Sequence, residues 1–186
     1  MRESKREAGK EPGKISHNGL DKKSILSATK HMTDGAVTQS YRGDLKEVVT
    51  LLNSALATEM VCYLRYMRHY FTAGGLQNIP VKAEFLEHAN DELLHANQIA
   101  ERIIQLNGTP DFNPGTLLDR SHAQYDDSKS LQDMIKANLV AERIAIDSYR
   151  DMIETIGQTD LTTRHMLIQI MAKEEEHAED MRDLIV

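Results

Sequence analysis

Four segments of this sequence repeat apolar side chains at helical spacing, and each sets a glutamate in the middle of its apolar stripe. The first runs from about Asp44 to Thr72, with Leu45, Val48, Leu52, Ala55, Leu56, Cys62, Tyr63, Tyr66 and Tyr70 around Glu59. The second opens near Pro80 and carries Phe85, His88, His95, Ile99, Ile103 and Leu106 around Glu92. The third starts near Ser130, with Leu131, Ile135, Asn138, Leu139, Ala145, Ile146, Tyr149, Ile153 and Ile156 around Glu142. The fourth starts near Thr159 or Asp160, with Leu167, Ile170, Met171, Ala178 and Met181 around Glu174 and His177. An unpaired carboxylate in a core is strongly unfavourable or takes up a proton. Four of them require helices that meet where something neutralises them.

Two stripes carry a histidine three residues after the acid, Glu92-Leu93-Leu94-His95 and Glu174-Glu175-Glu176-His177. Positions i and i+3 share a helical face, so each pair converges on one point. In the acidic run from Lys173 to Asp180 only Glu174 and His177 fall on the stripe, and Glu175, Glu176 and Glu179 face away from it. The stretch Leu56–Tyr66 resembles Leu139–Tyr149, each with Leu-x-x-Glu and a tyrosine seven residues past the glutamate. Glu59 and Glu92 are 33 residues apart, and Glu142 and Glu174 are 32 apart.

The connections between the segments are short, long and short, the long one running from Gly108 to Lys129 with Pro110, Pro114 and Gly115. That pattern gives an all-α chain of two helical hairpins joined by one crossover, the ferritin-like four-helix bundle rather than the up-down one. The bundle is expected over residues 41–186 and an N-terminal extension over 1–40, with a short helical piece near Ile25–His31. Residues 1–30 hold eight Lys/Arg against four Asp/Glu, a net +4, which leaves the rest of a −7 chain at −11. An acidic body and a basic, weakly hydrophobic tail are two physical objects. Cys62 is the one cysteine, which excludes a disulfide framework and a four-cysteine metal site. No run approaches ~18 consecutive apolar residues and no secretory h-region opens the chain, so a cytoplasmic protein without a membrane span is expected.

Four carboxylates and two imidazoles at a bundle centre are balanced by two divalent cations. One Glu from each of two helices plus Glu-x-x-His from each of the others is the donor set of di-iron and di-manganese carboxylate bundles. The candidate metal and catalytic residues are therefore Glu59, Glu92, His95, Glu142, Glu174 and His177.

From about Leu45 to Ile185 the sequence resembles bacterioferritin-type ferritins, most closely in "DELLHANQIAERIIQLNGTPDF" (Asp91–Phe112), "LLNSALATEM" and "EEEHAEDM". The resemblance implies a ferroxidase centre of two Fe ions per subunit (Mn or Zn can take their place) on those six residues. It makes Glu92 and Glu142 the bridging carboxylates and puts Tyr66 beside the metals. It also implies a hollow oligomeric shell. Two departures stand out. Leu93 occupies the position where the family's haem-ligating Met follows the second-helix Glu, so haem is not expected. The chain also ends nine residues after His177, without a fifth helix. A 12-subunit cage like that of the Dps-like miniferritins is then favoured over one of 24.

The function expected is oxidation of Fe(II) by O2 or H2O2 and storage of the ferric product. A di-iron peroxidase or di-manganese catalase is an alternative, as is a DNA-binding protective protein of the Dps kind whose basic tail makes weak nucleic-acid contact. Blander readings go to the neighbours. His88 reads as a core histidine, Glu87 and Asp91 as surface acids, Tyr63 and Tyr66 as packing residues, and Cys62 as a small buried one. Met60, Met67 and Tyr70 are expected to stay exposed on the single subunit, favouring tight dimers.

Overall fold

The structure is a computed structural model that describes residues 26, 28–75 and 78–185. It divides into two units, Met1–Asp34 and Gly35–Val186. In the first unit, Leu26, Ala28 and Thr29 are helical and the His31 amide donates to the Ala28 carbonyl at 3.2 Å. Ile25 and Ser27 of the expected short helix, and the rest of the tail reading over residues 1–25, lie outside the described residues.

In the second unit every described element is a helix: α1 Leu45–Thr72, α2 Ile79–Gln105, the one-turn α3 Leu117–Arg120, α4 Leu131–Ile156 and α5 Leu161–Asp183. Local chemistry sets their ends. Asp44 caps α1, its side chain accepting from the amides of Lys46 and Glu47 at 2.9 and 3.1 Å. Ser130 and Asp160 cap α4 and α5 in the same way, through the amides of Asp133 and Thr163. At the end of α2, Asn107 takes φ 61° while the amides of Asn107 and Gly108 return to the carbonyls of Ile104 and Ile103, both at 2.9 Å. A Cβ on Gly108 would press against Val49 at 2.8 Å, so glycine is needed there for close approach to α1.

Helix α1 packs on α2 and α4 on α5, giving two hairpins, with the segment bearing α3 crossing between them. One apolar cluster fills one end of the bundle with Leu52, Leu56, Ile99, Ile103, Met152, Ile156, Leu167 and Ile170. A second fills the other end with Tyr66, Phe85, Ala89, Met134, Leu139 and Met181. On every long helix a glutamate falls between those clusters, joined by a histidine on α2 and α5, so a polar layer divides the core. Val37 and Tyr41 pack against the first cluster, and the Tyr41 hydroxyl donates to Asp160 at 2.9 Å.

Met60, Met67 and Tyr70 are half-buried, against the expectation that they stay exposed. Met60 is covered by Leu117 and Ala123 of the crossover, and Met67 and Tyr70 pack on the Tyr66–Phe85 cluster. Helix α1 is long and apolar enough to cross a membrane by length and composition, but half of its most apolar window is buried inside the bundle. Glu59, Arg65 and His69 are buried on the same helix, as suits a core helix.

Candidate metal centre

Helical spacing carries Glu59 on α1, Glu92 and His95 on α2, Glu142 on α4, and Glu174 and His177 on α5 into the dividing layer. The four glutamates are at most 1% exposed, His177 is 1% and His95 5%. Their donor atoms fall into two groups, Glu59–Glu92–His95–Glu174 and Glu92–Glu142–Glu174–His177, each with all atoms within 4.8 Å of one another. Glu92 and Glu174 belong to both groups. The resemblance implied Glu92 and Glu142 as the pair in common, whereas the two donor groups share Glu92 and Glu174. Glu59 belongs to the first group alone and Glu142 to the second alone.

The layer is held by bonds that run between hairpins. The Tyr149 hydroxyl donates to Glu59, and the Tyr66 hydroxyl donates to Glu142. These are the two tyrosines of the internal repeat, each reaching across to the other repeat's glutamate. Burial and the adjacent carboxylates push both phenols well up, so they remain protonated donors. His177 Nε2 lies 3.2 Å from Asp91 Oδ2, which turns Nδ1 inward to 3.6 Å from Glu174 and 4.0 Å from Glu92. His95 Nδ1 stands 3.1 Å from Glu59 and 3.0 Å from Glu174.

Without a cation the layer is electrostatically lopsided. Burial, reinforced by Glu174, pushes the carboxyls of Glu92 and Glu142 well above the usual 4.5. Burial would also raise Glu174, but the imidazoles of His177 and His95 hold it below the ordinary range. Burial would lower His95, yet Glu174 and Glu59 raise it to about 10. Among the described residues Glu92 Oε1, Glu142 Oε2, both Glu174 oxygens and His177 Nδ1 are buried with no hydrogen-bond partner. Native interiors seldom leave polar atoms so. All five atoms belong to residues of the two groups, and oxygen-rich donors with an imidazole each suit two hard or borderline divalent cations.

The neighbours resolve as follows. Asp91 is half-buried on His177 rather than free at the surface, and Glu87 is exposed. Cys62 is buried, 3.5 Å from the Arg65 guanidinium, with its thiol pushed up by burial. His88 is 2% exposed and stacks on His177, ring centroids 3.9 Å apart. Sequence reasoning gave no role to Tyr149, although its place in the repeat was the available signal. It did not anticipate the buried Arg65, which bonds Asn138 at 2.8 Å while Asn138 meets His69 at 3.1 Å. Arginine in a helical pattern reads as surface, and only the tertiary partner reveals it otherwise.

A profile of the ferritin-like domain family matches residues 49–186. A nutrient stress-induced DNA-binding protein from Synechococcus sp. is 30% identical over 132 residues, 68% of this chain and 74% of the relative. A bacterioferritin from Mycobacterium avium is 29% identical over 136 residues, 70% of this chain and 79% of the relative. Among solved structures, the bacterioferritin-related dodecameric thioferritin of Bacteroides fragilis superposes with a TM-score of 0.73 at 33% identity. That alignment covers 76% of this chain and 86% of that one. Dps from Thermosynechococcus elongatus shares the fold at 20% identity, with a TM-score of 0.73 over 76% of this chain and 92% of that one. The matched span takes in all four long helices and the layer between them, and this chain belongs to the ferritin-like domain family.

Proposed function

We propose that this chain is an iron-storing ferroxidase that takes Fe(II) as substrate at the six-residue layer and keeps the ferric product in a cage of twelve subunits. The observation that carries the reading is the pair of overlapping donor groups, five of whose buried side-chain atoms lack a hydrogen-bond partner. Glu92 and Glu174 reach both positions, Glu59 with His95 complete one, and Glu142 with His177 complete the other. Carboxylate oxygens favour Fe(III) over Fe(II), which assists electron loss. Each Fe(II) gives one electron; with H2O2 as acceptor, the O–O bond breaks and two protons are taken up to leave two waters. Tyr66 and Tyr149 fix the outer oxygens of Glu142 and Glu59, and Asp91 fixes the ring of His177, so the donors are preorganised. The −11 charge outside residues 1–30 favours cation accumulation. The twelve-subunit number rests on the dodecameric relative at 33% identity.

The test is aerobic addition of Fe(II) to metal-free protein, following ferric absorbance. Growth well above the buffer control, lost in Glu92→Ala, is expected; a wild type no faster than buffer overturns the reading. Oxygen evolution from peroxide by manganese-loaded protein would favour the catalase alternative, and peroxide consumption by the iron-loaded protein with an added reductant the peroxidase one. A second reading, nucleic-acid contact through the +4 tail, is favoured by the name of the Synechococcus relative. A gel shift of the full chain against one lacking residues 1–40, at two salt concentrations, checks it. Salt-sensitive retardation lost with the tail is the expected result.

A further inference from the structure

One turn of α2 before Glu92, a second group of donors converges. His88 Nε2 lies 3.4 Å from Asp180 Oδ2 and 4.0 Å from Glu84 Oε2, and the donor atoms of these three residues lie within 4.8 Å of one another. Glu84 and His88 are four residues apart on α2, and Asp180 follows His177 by three on α5, so both helices present this face regularly. The two carboxylates are half-exposed, at 41% and 46%, whereas His88 is 2% exposed.

The hydrogen-bond pattern fixes what His88 offers. Its Nδ1 is 3.1 Å from the Tyr66 hydroxyl oxygen. Tyr66 has one proton and gives it to Glu142, so Nδ1 carries a hydrogen and donates to Tyr66. Nε2 is the nitrogen left facing the two acids. Were Nε2 protonated as well, a charge-assisted bond would draw a carboxylate to roughly 2.7–2.9 Å. Instead the two contacts are 3.4 and 4.0 Å long, and the second nitrogen of a buried imidazole faces two carboxylate oxygens. Burial, then Asp180 and Glu87, raises the Glu84 carboxyl, a sign of acids crowded without a counter-charge.

We propose that Glu84, His88 and Asp180 form a third, single-cation site for a divalent transition metal such as Zn(II) or Fe(II), separate from the two-group centre. One imidazole and two carboxylates, with the acids open to solvent, match a mononuclear site completed by water. The site stands independently of the ferroxidase reading, because none of its three residues belongs to the other groups. The His88–His177 stack places it against the centre, at the half-exposed rim.

Zinc-soaked crystals of the full chain, with anomalous difference maps, test this directly. A peak within bonding distance of His88 Nε2 and at least one carboxylate is expected, absent in Glu84→Gln/Asp180→Asn, with that variant losing one zinc per subunit in solution. The two exposed substitutions spare the core, so loss of fold is not in question. No peak beside His88 in the wild type, or a peak that survives in the double variant, overturns the proposal. A peak beside His88 with none between Glu92 and Glu174 would support this site and count against the di-metal reading.

Discussion

At the scale of single residues, the metal-free layer is a store of protons. Burial and Glu174 raise the carboxyls of Glu92 and Glu142, and His95, raised to about 10 by Glu174 and Glu59, holds a proton at neutral pH that metal ligation must expel. Loading with Zn(II) near pH 7 is therefore expected to release protons, measured with a pH indicator in weak buffer. Release of none would mean the residues are not the ligands. The same shifts set the stability of the metal-free protein. A group whose folded value is raised binds more protons folded than unfolded, so its contribution is full below the usual 4.5 and is lost as pH rises toward its folded value. The metal-free Tm should thus fall as pH rises above 4.5, and Glu92→Gln should flatten that fall; an identical slope in the variant would disprove the assignment. The meeting of these six residues in one layer was legible in the sequence because an acid inside an apolar stripe violates the pattern on each of four helices. Which two glutamates the donor groups share was not. Spacing says which face a glutamate occupies, while which two face each other depends on how the hairpins pack.

At the scale of elements, the helix spans were readable from caps and periodicity, and the clamps between helices were not. Arg102 near the end of α2 bonds Asp160, the cap of α5, at 2.9 Å through its terminal nitrogen and Thr163 at 2.8 Å through Nε. Asp160 also receives Tyr41, so one buried carboxylate ties the start of α5 to α2 and to the segment before α1. Burial would raise that carboxyl, but Thr163, Tyr41 and Arg102 bring it below its usual value. A lowered folded value means the contribution is present above about 3.8 and lost as pH falls further. Asp160→Asn leaves the Arg102 guanidinium without its counter-charge and should cost about 3 kcal/mol or more, read as a lower urea midpoint with unchanged m. Asp160 was visible as a cap, since Asp before an apolar run is a local signal. Its partner is 58 residues away, and no local pattern carries that.

At the scale of the whole molecule, an isolated subunit leaves apolar surface that the bundle itself does not cover. Leu64 on α1 is 43% exposed, and Val140 and Ile144, one turn apart on α4, are 55% and 40%. The sequence led to Met60, Met67 and Tyr70 for this role, because the paths of the crossover and the second apolar cluster over α1 are not encoded in its own periodicity. With those three partly covered within the subunit, Leu64, Val140 and Ile144 are among the exposed apolar residues available to a neighbouring copy. Burying a side chain of this size is worth roughly 1.5–3 kcal/mol when complete, and a closed shell repeats each contact around its symmetry axes. The triple variant Leu64→Glu/Val140→Glu/Ile144→Glu places like charges at those points without entering the core. Light scattering should then fall from a large multiple of 21.0 kDa in the parent toward 21.0 kDa in the variant, with the far-UV helical signal retained. A parent that already scatters as a single subunit would refute the cage, and a variant of undiminished mass would show that assembly uses a different face.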